Sequence, residues 1–335
     1  MPILALDVGG TKIAGALVDE TGDILTDRVA ATPRSSSADE VFAAVAGVLT
    51  GLLGQTPAPD PAGRVDARPA RTVQMISGVG VGSAGPVDLV HGTVSPVNIG
   101  AWRDFPLRDR IAELVPGLPV SLCGDGICAA IAEHWRGAGE QVPAMLGVVV
   151  STGVGGGLIL AGRPFLGPTG NAGHVGHVPV DLNGERCRCG SRGCVETIAS
   201  GPNLVRGALA RGWQPLPGAT AEQLAASAQA GDPIAVDAFA RAGRALAAGF
   251  ASVAATCDID RVVVGGGVAL SGSVLFDAIA AGMAEFSGLS FTRRVTVHPA
   301  RLGPAAGLVG AAALLLRPDA AGVIAVPRFE LPAVH

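Results

Sequence analysis

The sequence contains no tyrosine and little charge, and both shortages narrow the classes of protein that it can encode. Only 16% of its 335 residues are Asp, Glu, Lys or Arg. The formal net charge is −4, so there is no excess of basic residues to hold a phosphodiester backbone. We therefore do not expect nucleic acid as a partner.

Long apolar runs are also missing. The first strand-like run begins at Pro2, which leaves no space for a secretory signal, or for a DNA-binding helix-turn-helix before Leu4. No uninterrupted apolar stretch is long enough to span a bilayer. We therefore expect a cytoplasmic protein that has no membrane partner.

What the chain does contain suits an α/β protein with two cores. Apolar residues make up 49% of it, and short apolar strands alternate with helical patterns. Two strand–glycine turn–strand units, at 3–19 and 144–160, resemble each other weakly, which predicts two lobes built on one plan. The patterns further predict a loop over 55–71, strands over 73–81, 120–123, 261–264 and 294–297, and helices over 38–53, 127–135, 197–211, 233–256, 273–285 and 304–316.

One segment concentrates metal-binding residues. Three of the six cysteines lie within eight residues, in the pattern Cys-x-Cys-Gly-x-x-Gly-Cys-x-Glu, and a histidine precedes them by ten residues. Three thiolates and an imidazole would complete a closed tetrahedral zinc site without an open position for catalytic water. A local disulfide with one spare thiol is the alternative. The predicted zinc ligands are His177, Cys187, Cys189 and Cys194.

Three glycine-rich segments follow apolar strands. In the first, Asp7-x-Gly9-Gly10-Thr11-Lys12, glycines would let the backbone close on phosphate oxygens, and the last two residues would add a hydroxyl and a positive charge. A tight hairpin would explain the same residues. The other two segments, 152–157 and 265–267, have the equally plain alternative of strand-to-helix turns.

Together these motifs resemble the ROK family of bacterial sugar kinases and sugar-responsive repressors. The resemblance rests on the cysteine motif and on segments 4–12, 80–88, 124–126, 151–157 and 263–268, so it extends over almost the whole chain. It implies a two-lobed actin-like ATPase (ribonuclease H-like) fold with an interlobe cleft. The expected division is an N-terminal lobe over 1–123, a C-terminal lobe over 124–303, and a helix and tail over 304–335 that return to the first lobe.

The resemblance also implies ATP and Mg²⁺ as cofactors. Asp7 would hold Mg²⁺ through water, the segment at 152–157 would form a second phosphate clamp, and 265–267 would lie beside the adenosine. The implied cofactor-binding residues are Asp7, Gly9, Gly10, Thr11, Lys12, Thr152, Gly153, Gly155, Gly265, Gly266 and Gly267.

Asp125 is the candidate general base, because a carboxylate can accept the proton of the attacking hydroxyl during phosphoryl transfer. We expect the dipole of the helix that begins there to keep it ionised. An ordinary helix-capping aspartate is the alternative. By match to the family, the sugar would contact Gly85, Asn98, Asp125, His174, His177 and Glu196.

Two of these positions depart from the family pattern. The usual Glu-x-Gly-His is here His174-Val-Gly-His177, and the usual Asn-Asp pair is Gly124-Asp125. An imidazole offers one donor and one acceptor where a glutamate can accept from two hydroxyls, and the glycine opens space. Either a water compensates, or the substrate is not plain glucose.

The sequence thus predicts a homodimeric kinase that transfers the γ-phosphoryl of ATP to the 6-hydroxyl of a hexose, with glucose as the first candidate. The structural zinc would fix the loop that carries His174 and Glu196. The alternatives are an N-acetylhexosamine, amino-sugar or cyclitol kinase, which the two departures favour, and a sugar-binding regulator without turnover.

Overall fold

A computed structural model describes residues 1–54, 76–215 and 217–317. The predicted loop at 55–71, the beginning of the predicted strand at 73–81 and the tail at 320–335 lie outside these residues. Among the described residues, none of the helices has both the length and the apolar character that a membrane span requires.

Two five-stranded sheets share one topology. In each, the order places two antiparallel strands on one side of the first strand and two parallel strands on the other. This confirms an α/β fold of two lobes built on one plan. The first sheet, in the order β3-β2-β1-β4-β7, consists of β1 (Ile3–Val8), β2 (Lys12–Val18), β3 (Ile24–Ala31), β4 (Val79–Ser83) and β7 (Val120–Gly124). The second, in the order β10-β9-β8-β11-β12, consists of β8 (Met145–Val150), β9 (Val154–Leu160), β10 (Arg163–Phe165), β11 (Arg261–Gly265) and β12 (Thr296–Pro299).

Helices cover these sheets. Most have one apolar face, and their caps follow ordinary rules: Ser37 at the start of α1 accepts the Glu40 N–H at 3.3 Å. Along the chain between β4 and β7, the strands β5 (Val87–Asp88) and β6 (Thr93–Val94) form a small separate two-stranded ribbon. The helices are α1 (Ala38–Leu53), α2 (Leu107–Leu114), α3 (Asp125–Arg136), α4 (Val195–Ala199), α5 (Gly201–Leu209), α6 (Ala221–Gln229), α7 (Pro233–Cys257), α8 (Ser273–Phe286) and α9 (Ala306–Leu316).

Helices α3 and α9 lie between the two sheets. One buried cluster joins residues of β1, β8 and β9 with both helices, so the core is continuous here. The helices approach closely because glycines leave room. A Cβ on Gly310 of α9 would overlap the Cys128 carbonyl of α3, and a Cβ on Gly126 of α3 would lie 2.5 Å from the Gly156 nitrogen of β9. α3, which begins with Asp125, is therefore held rigidly at the junction of the lobes.

Several predicted boundaries are wrong. The single helix predicted over 197–211 is two helices, because Pro202 disfavours a helical conformation just before it and Ser200 is extended. The strand predicted from Gly157 begins at Val154, so most of the second glycine segment is strand and not loop. The strand predicted over 294–297 is Thr296–Pro299, preceded by a 3₁₀ turn.

Apart from the 3₁₀ turns, six of the described elements were not predicted: β3, β5, β6, β10, α2 and α6. β3 is an edge strand with a largely exposed side, so its apolar signal is weak. α6 did carry a signal. Thr220 caps it by accepting the Gln223 N–H at 3.2 Å, which is the spacing of a capping box.

Candidate active site

The first glycine turn lies at the carboxyl end of β1. It is closed by a hydrogen bond from the Gly9 N–H to the Lys12 carbonyl, at 3.0 Å. A Cβ on Gly10 would lie 2.5 Å from the amide group of Asn98, so the turn leaves no space for a side chain there. Thr11 and Lys12 are exposed. The turn can therefore present backbone and two polar side chains to a ligand, and Asn98 lies against it.

Asp7 lies deeper, near the end of β1. Burial raises the pKa of its carboxyl group from 3.8 to about 7; the charge of Asp125 adds to the rise, and Lys12 opposes it. A Cβ on Gly307, in the first turn of α9, would lie 2.6 Å from Asp7 Oδ2. The sequence analysis missed Gly307, although a glycine early in a helix is a detectable signal of close packing.

Asp125 is the first residue of α3 and follows β7 directly. Its Oδ1 accepts the Gly126 N–H at 2.7 Å. Burial nevertheless raises the pKa of the Asp125 carboxyl group, although this hydrogen bond and the neighbouring His174 lower it. The helix terminus therefore does not lower the pKa of this group overall, because the desolvation of the carboxylate is the larger effect.

Two half-buried carboxyl groups thus interact electrostatically at the junction of the lobes. Their mutual repulsion is one cause of the high pKa of Asp7. A divalent cation would relieve it, and Mg²⁺ in phosphoryl-transfer sites is bound by one or two carboxylates together with phosphate oxygens. The pair therefore fits the cation that the sequence predicted, with Lys12 beside it.

His174 lies close enough to Asp125 for their charges to interact. Burial lowers the pKa of its imidazole, opposed by the charges of Asp125 and Glu196. A Cβ on Gly85 would lie 2.8 Å from His174 Nε2, so the missing side chain at Gly85 makes room for the ring. The Gly85–Pro86 peptide is cis. A neutral imidazole can both donate and accept a hydrogen bond, as a polyol requires.

Glu196, in α4, supports the second glycine turn. Its Oε2 accepts the Val154 N–H at 2.9 Å, and a Cβ on Gly153 would lie 2.7 Å from the same oxygen. Sequence reasoning assigned Glu196 to the sugar only. The structure adds a link from this carboxylate to the turn that carries Thr152.

The remaining glycines divide by role. Gly155 lies in β9, where a Cβ would be 3.9 Å from Asp125 Oδ1. Gly266 has a φ of 93°, and a Cβ there would overlap the Val150 carbonyl, so the fold itself requires it. Gly265 and Gly267 flank it at the end of β11. Because β8 and β11 are parallel neighbours, the second and third glycine segments meet at one sheet edge, where α/β folds bind ligands.

The histidine and three cysteines of the cysteine motif come together. Their ligand atoms all lie within 4.8 Å of one another. Cys189 Sγ and Cys194 Sγ are 3.8 Å apart, and Cys187 Sγ is 3.7 Å from His177 Nδ1. Ligands about 2.0–2.3 Å from a tetrahedral zinc lie roughly 3.3–3.8 Å from each other, so the set fits that metal. His177 Nε2 is left available on the other side of the ring.

The described contacts connect most of the predicted residues into one site. Asp7, Asp125, His174 and Glu196 interact electrostatically, and the metal cluster adjoins them through His177, whose ring centroid is 6.3 Å from that of His174. Asn98 is placed against the first glycine turn only.

Comparison with known proteins places the chain among sugar-binding proteins. A family model, the ROK family, matches residues 62–317. A curated relative, the N-acetylmannosamine kinase of Yersinia pseudotuberculosis serotype O:1b, is 37% identical over 310 residues, which are 92% of this chain and 96% of that protein.

Two solved structures are also similar. A ROK family glucokinase from Streptomyces griseus, in complex with glucose and AMPPNP, has a TM-score of 0.78 and 34% identity, over 94% of this chain and 99% of that one. A ROK family transcriptional regulator, a homologue of the E. coli MLC protein, has a TM-score of 0.77 and 26% identity, over 93% and 76% of the two chains.

Proposed function

Because the chain belongs to the ROK family, we propose that it is an ATP-dependent sugar kinase with the two-lobed actin-like ATPase fold. The observation that carries this proposal is the half-buried pair Asp7 and Asp125, at the junction of the lobes and beside Lys12. A module that only bound sugar would not need two desolvated carboxyl groups next to a glycine turn.

Asp125 acts as the general base in this proposal. It accepts the proton of the attacking 6-hydroxyl as that oxygen bonds to the γ-phosphorus, while the bond from this phosphorus to the β,γ-bridging oxygen breaks and ADP leaves. The proton transfer requires the ionised carboxylate. Burial raises its pKa, which strengthens it as a base, while His174 and the Gly126 N–H keep the ionised form accessible. The rigid attachment of α3 between the lobes holds this oxygen in place.

The glycine turns bind and orient the phosphates. Backbone around Gly9–Thr11 and Lys12 would approach them from the first lobe, and Thr152 and Gly153 from the second. When bound, Mg²⁺ supplies charge neutralisation for the phosphates, and Asp7 would hold it. Gly265 and Gly267 leave open backbone at the adjoining edge for the adenosine.

A structural zinc belongs to the same proposal. His177, Cys187, Cys189 and Cys194 would hold it, and it would supply no catalytic chemistry because all four positions are filled. It fixes the distance between the histidine segment and the start of α4, and so positions His174 and Glu196 on the sugar.

For the substrate we favour an N-acetylated hexosamine over glucose. The Yersinia relative is named for N-acetylmannosamine, and His174 and Gly124 depart from the family pattern described above. A Cβ on Gly124 would meet only the side chain of Ile127, at 3.7 Å, so the space that an asparagine would fill is open. His174 offers a neutral donor and acceptor for an amide group. We propose that this space takes the acetamido group.

Glucose is the second candidate, because the similar Streptomyces structure is a glucokinase with glucose bound. A sugar panel in an assay of ADP release separates the two. We expect kcat/KM for N-acetylmannosamine or N-acetylglucosamine to exceed that for glucose at least about tenfold, the effect of one good hydrogen bond and a matched cavity.

Variants of the two differing positions sharpen this test. The double change His174→Glu and Gly124→Asn should raise kcat/KM for glucose and lower it for the N-acetylated sugar. Glucose as the best substrate of the wild type, with a double variant that is worse on it, would contradict the assignment and leave a glucokinase.

The division into lobes 1–123 and 124–303, with a returning segment from 304, remains a proposal, as do the homodimer and the cytoplasmic location. The packing of α9 against Gly80 of β4 supports the return of that helix to the first lobe. We propose no residue of the described chain as a dimer contact.

A further inference from the structure

A cavity that does not include Asp7 or Asp125 lies between the cysteine motif and the start of α5. Its volume is about 330 Å³. Its charged lining comes from both segments and consists of Glu185, Arg186, Arg188, Glu196 and Arg206, and its hydroxyl groups are those of Thr152, Thr197 and Ser200. No role assigned so far uses the three arginines.

Both carboxylates in this cavity are already engaged. Glu185 forms a two-point ion pair with Arg206, with N···O distances of 2.7 and 3.1 Å. Glu196 accepts the Val154 N–H at 2.9 Å. The acidic groups therefore do not neutralise the other two arginines.

Arg186 and Arg188 have no carboxylate partner among the described residues. Arg186 donates only to the Gly190 carbonyl, at 3.2 Å. Arg188 forms no hydrogen bond or ion pair with any residue that the structure describes. It lies between Cys187 and Cys189, so its backbone is fixed wherever those two cysteines are fixed.

We propose that this cavity is an oxyanion subsite that takes a phosphate group, with Arg188 as its main contact and Arg186 beside it. A guanidinium group binds phosphate oxygens in a planar, two-point arrangement, which suits a dianion better than a neutral sugar hydroxyl. Thr152 brings a hydroxyl from the second glycine turn to the same cavity.

The phosphate has two possible sources, which rest on the proposed kinase function. It can belong to the phosphoryl donor, because Thr152 borders the cavity, or to the phosphorylated sugar product, because Glu196 does. The binding of a free oxyanion does not depend on turnover, so it tests the subsite separately from the kinase.

The experiment titrates inorganic pyrophosphate into the full-length, zinc-bearing protein by calorimetry, once with Mg²⁺ alone and once with saturating ADP and Mg²⁺. The variants are Arg188→Ala and Arg188→Gln; the second keeps most of the side-chain length without the charge. Arg192→Ala is the control, because Arg192 is in the same loop, is exposed and does not line the cavity. Zinc content is measured for each variant, to show that the loop is intact.

We expect both Arg188 variants to bind pyrophosphate roughly five- to tenfold more weakly, as befits one partly exposed charge-assisted contact, while the control stays within about twofold. Added salt should reduce the difference. The proposal is overturned if wild type shows no pyrophosphate binding, or if zinc-bearing Arg188→Gln binds as tightly as the control.

Kinetics then identify the source. If the subsite takes the donor's phosphate, Arg188→Ala raises KM for ATP and leaves inhibition by the sugar phosphate unchanged. If it takes the product, inhibition by the sugar phosphate weakens and KM for ATP is unchanged. Loss of both effects together with unchanged pyrophosphate affinity contradicts the subsite.

Discussion

At the scale of single residues, burial determines the chemistry of the site. Asp7 and Asp125 would be ordinary ionised carboxylates in a solvated loop. Their position between the lobes raises the pKa of both. The protein therefore carries an electrostatic cost in the absence of ligand, which a cation and a sugar hydroxyl relieve.

This cost predicts the behaviour of Asp7→Asn. The carboxyl group is protonated in the folded state below about pH 7 but has an ordinary pKa of 3.8 when unfolded. Between these values the folded state binds more protons, so the free energy of unfolding of the wild type falls as the pH rises. Asp7→Asn should therefore stabilise the Mg²⁺-free protein most above pH 7, with a gain that shrinks toward pH 5.

Urea unfolding of the zinc-bearing protein in buffer without Mg²⁺, at several pH values, measures this gain. Asp27→Asn is the control, because Asp27 is exposed on β3. A pH-independent difference between Asp7→Asn and wild type would argue against the burial of a protonated Asp7. The same variant should lose activity, because it loses the charge that holds Mg²⁺.

The sequence predicted which residues form the site better than it predicted their state. Asp125 was placed at the right strand-to-helix junction, since that position follows from local pattern. The rise in its pKa was not predicted, because the desolvation arises from α3 packing against β9, through contacts such as Gly126 with Gly156, which no local pattern shows. The contacts of Asn98 with Gly10 and of Gly307 with Asp7 could not be predicted for the same reason, because each joins residues far apart in the sequence.

At the scale of elements, Glu133 fixes α3 to the segment that precedes α9. This glutamate is 3% exposed. Its Oε2 accepts the N–H groups of Ala138 and Arg301, at 2.9 and 3.1 Å, and its Oε1 accepts that of Leu302, at 2.8 Å. One buried carboxylate thus satisfies three backbone donors from two segments.

Glu133→Ala should lower the free energy of unfolding by about 2 kcal/mol or more, because it removes the acceptor of three backbone N–H groups, one of which, that of Ala138, is buried. Glu133→Gln should cost less, since it keeps one acceptor. Glu113→Ala, which removes only an exposed ion pair to Arg110 at 3.8 Å, should stay within about 0.5 kcal/mol of wild type. Equal stabilities of Glu133→Ala and Glu113→Ala in urea unfolding would refute this role.

The cysteine loop gives the second prediction at this scale. Purified, reduced protein should contain about one zinc per chain by elemental analysis, because the four ligands complete a tetrahedral set. Cys189→Ser should lose the metal and lower the melting temperature. Cys257→Ser should change neither, because Cys257 lies outside the cluster. Folded, reduced wild type without zinc would refute the zinc site.

The sequence predicted the type of an element where its apolar periodicity was strong. It did not predict the boundaries of elements in which tertiary contacts override the local pattern. The helix over Ala38–Leu53 follows directly from its apolar spacing. The glycines of β9 look like a loop in sequence, but they form a strand because α3 packs on them; a Cβ on Gly157 would lie 2.6 Å from Ile127 Cα. The glycines at 156 and 157 therefore pack against neighbouring backbone, a role that the sequence pattern did not predict.

At the scale of the whole molecule, the repeated topology places the two proposed phosphate-binding turns at equivalent positions in the two sheets. The first glycine turn follows β1, and the second follows β8, its counterpart in the other sheet. Asp125 lies between them, at the start of α3. The weak repeat in the sequence was enough to predict two related lobes, but not how α3 and α9 join them through one continuous core.

The central claim is that this arrangement transfers a phosphoryl group with Asp125 as the base, and Asp125→Asn tests it most directly. We predict that kcat on the best hexose or N-acetylhexosamine falls about 100-fold or more, while the calorimetric Kd for ADP stays within about twofold of wild type. Turnover by Asp125→Asn close to that of wild type would contradict the claim, as would a wild type that turns over none of these sugars.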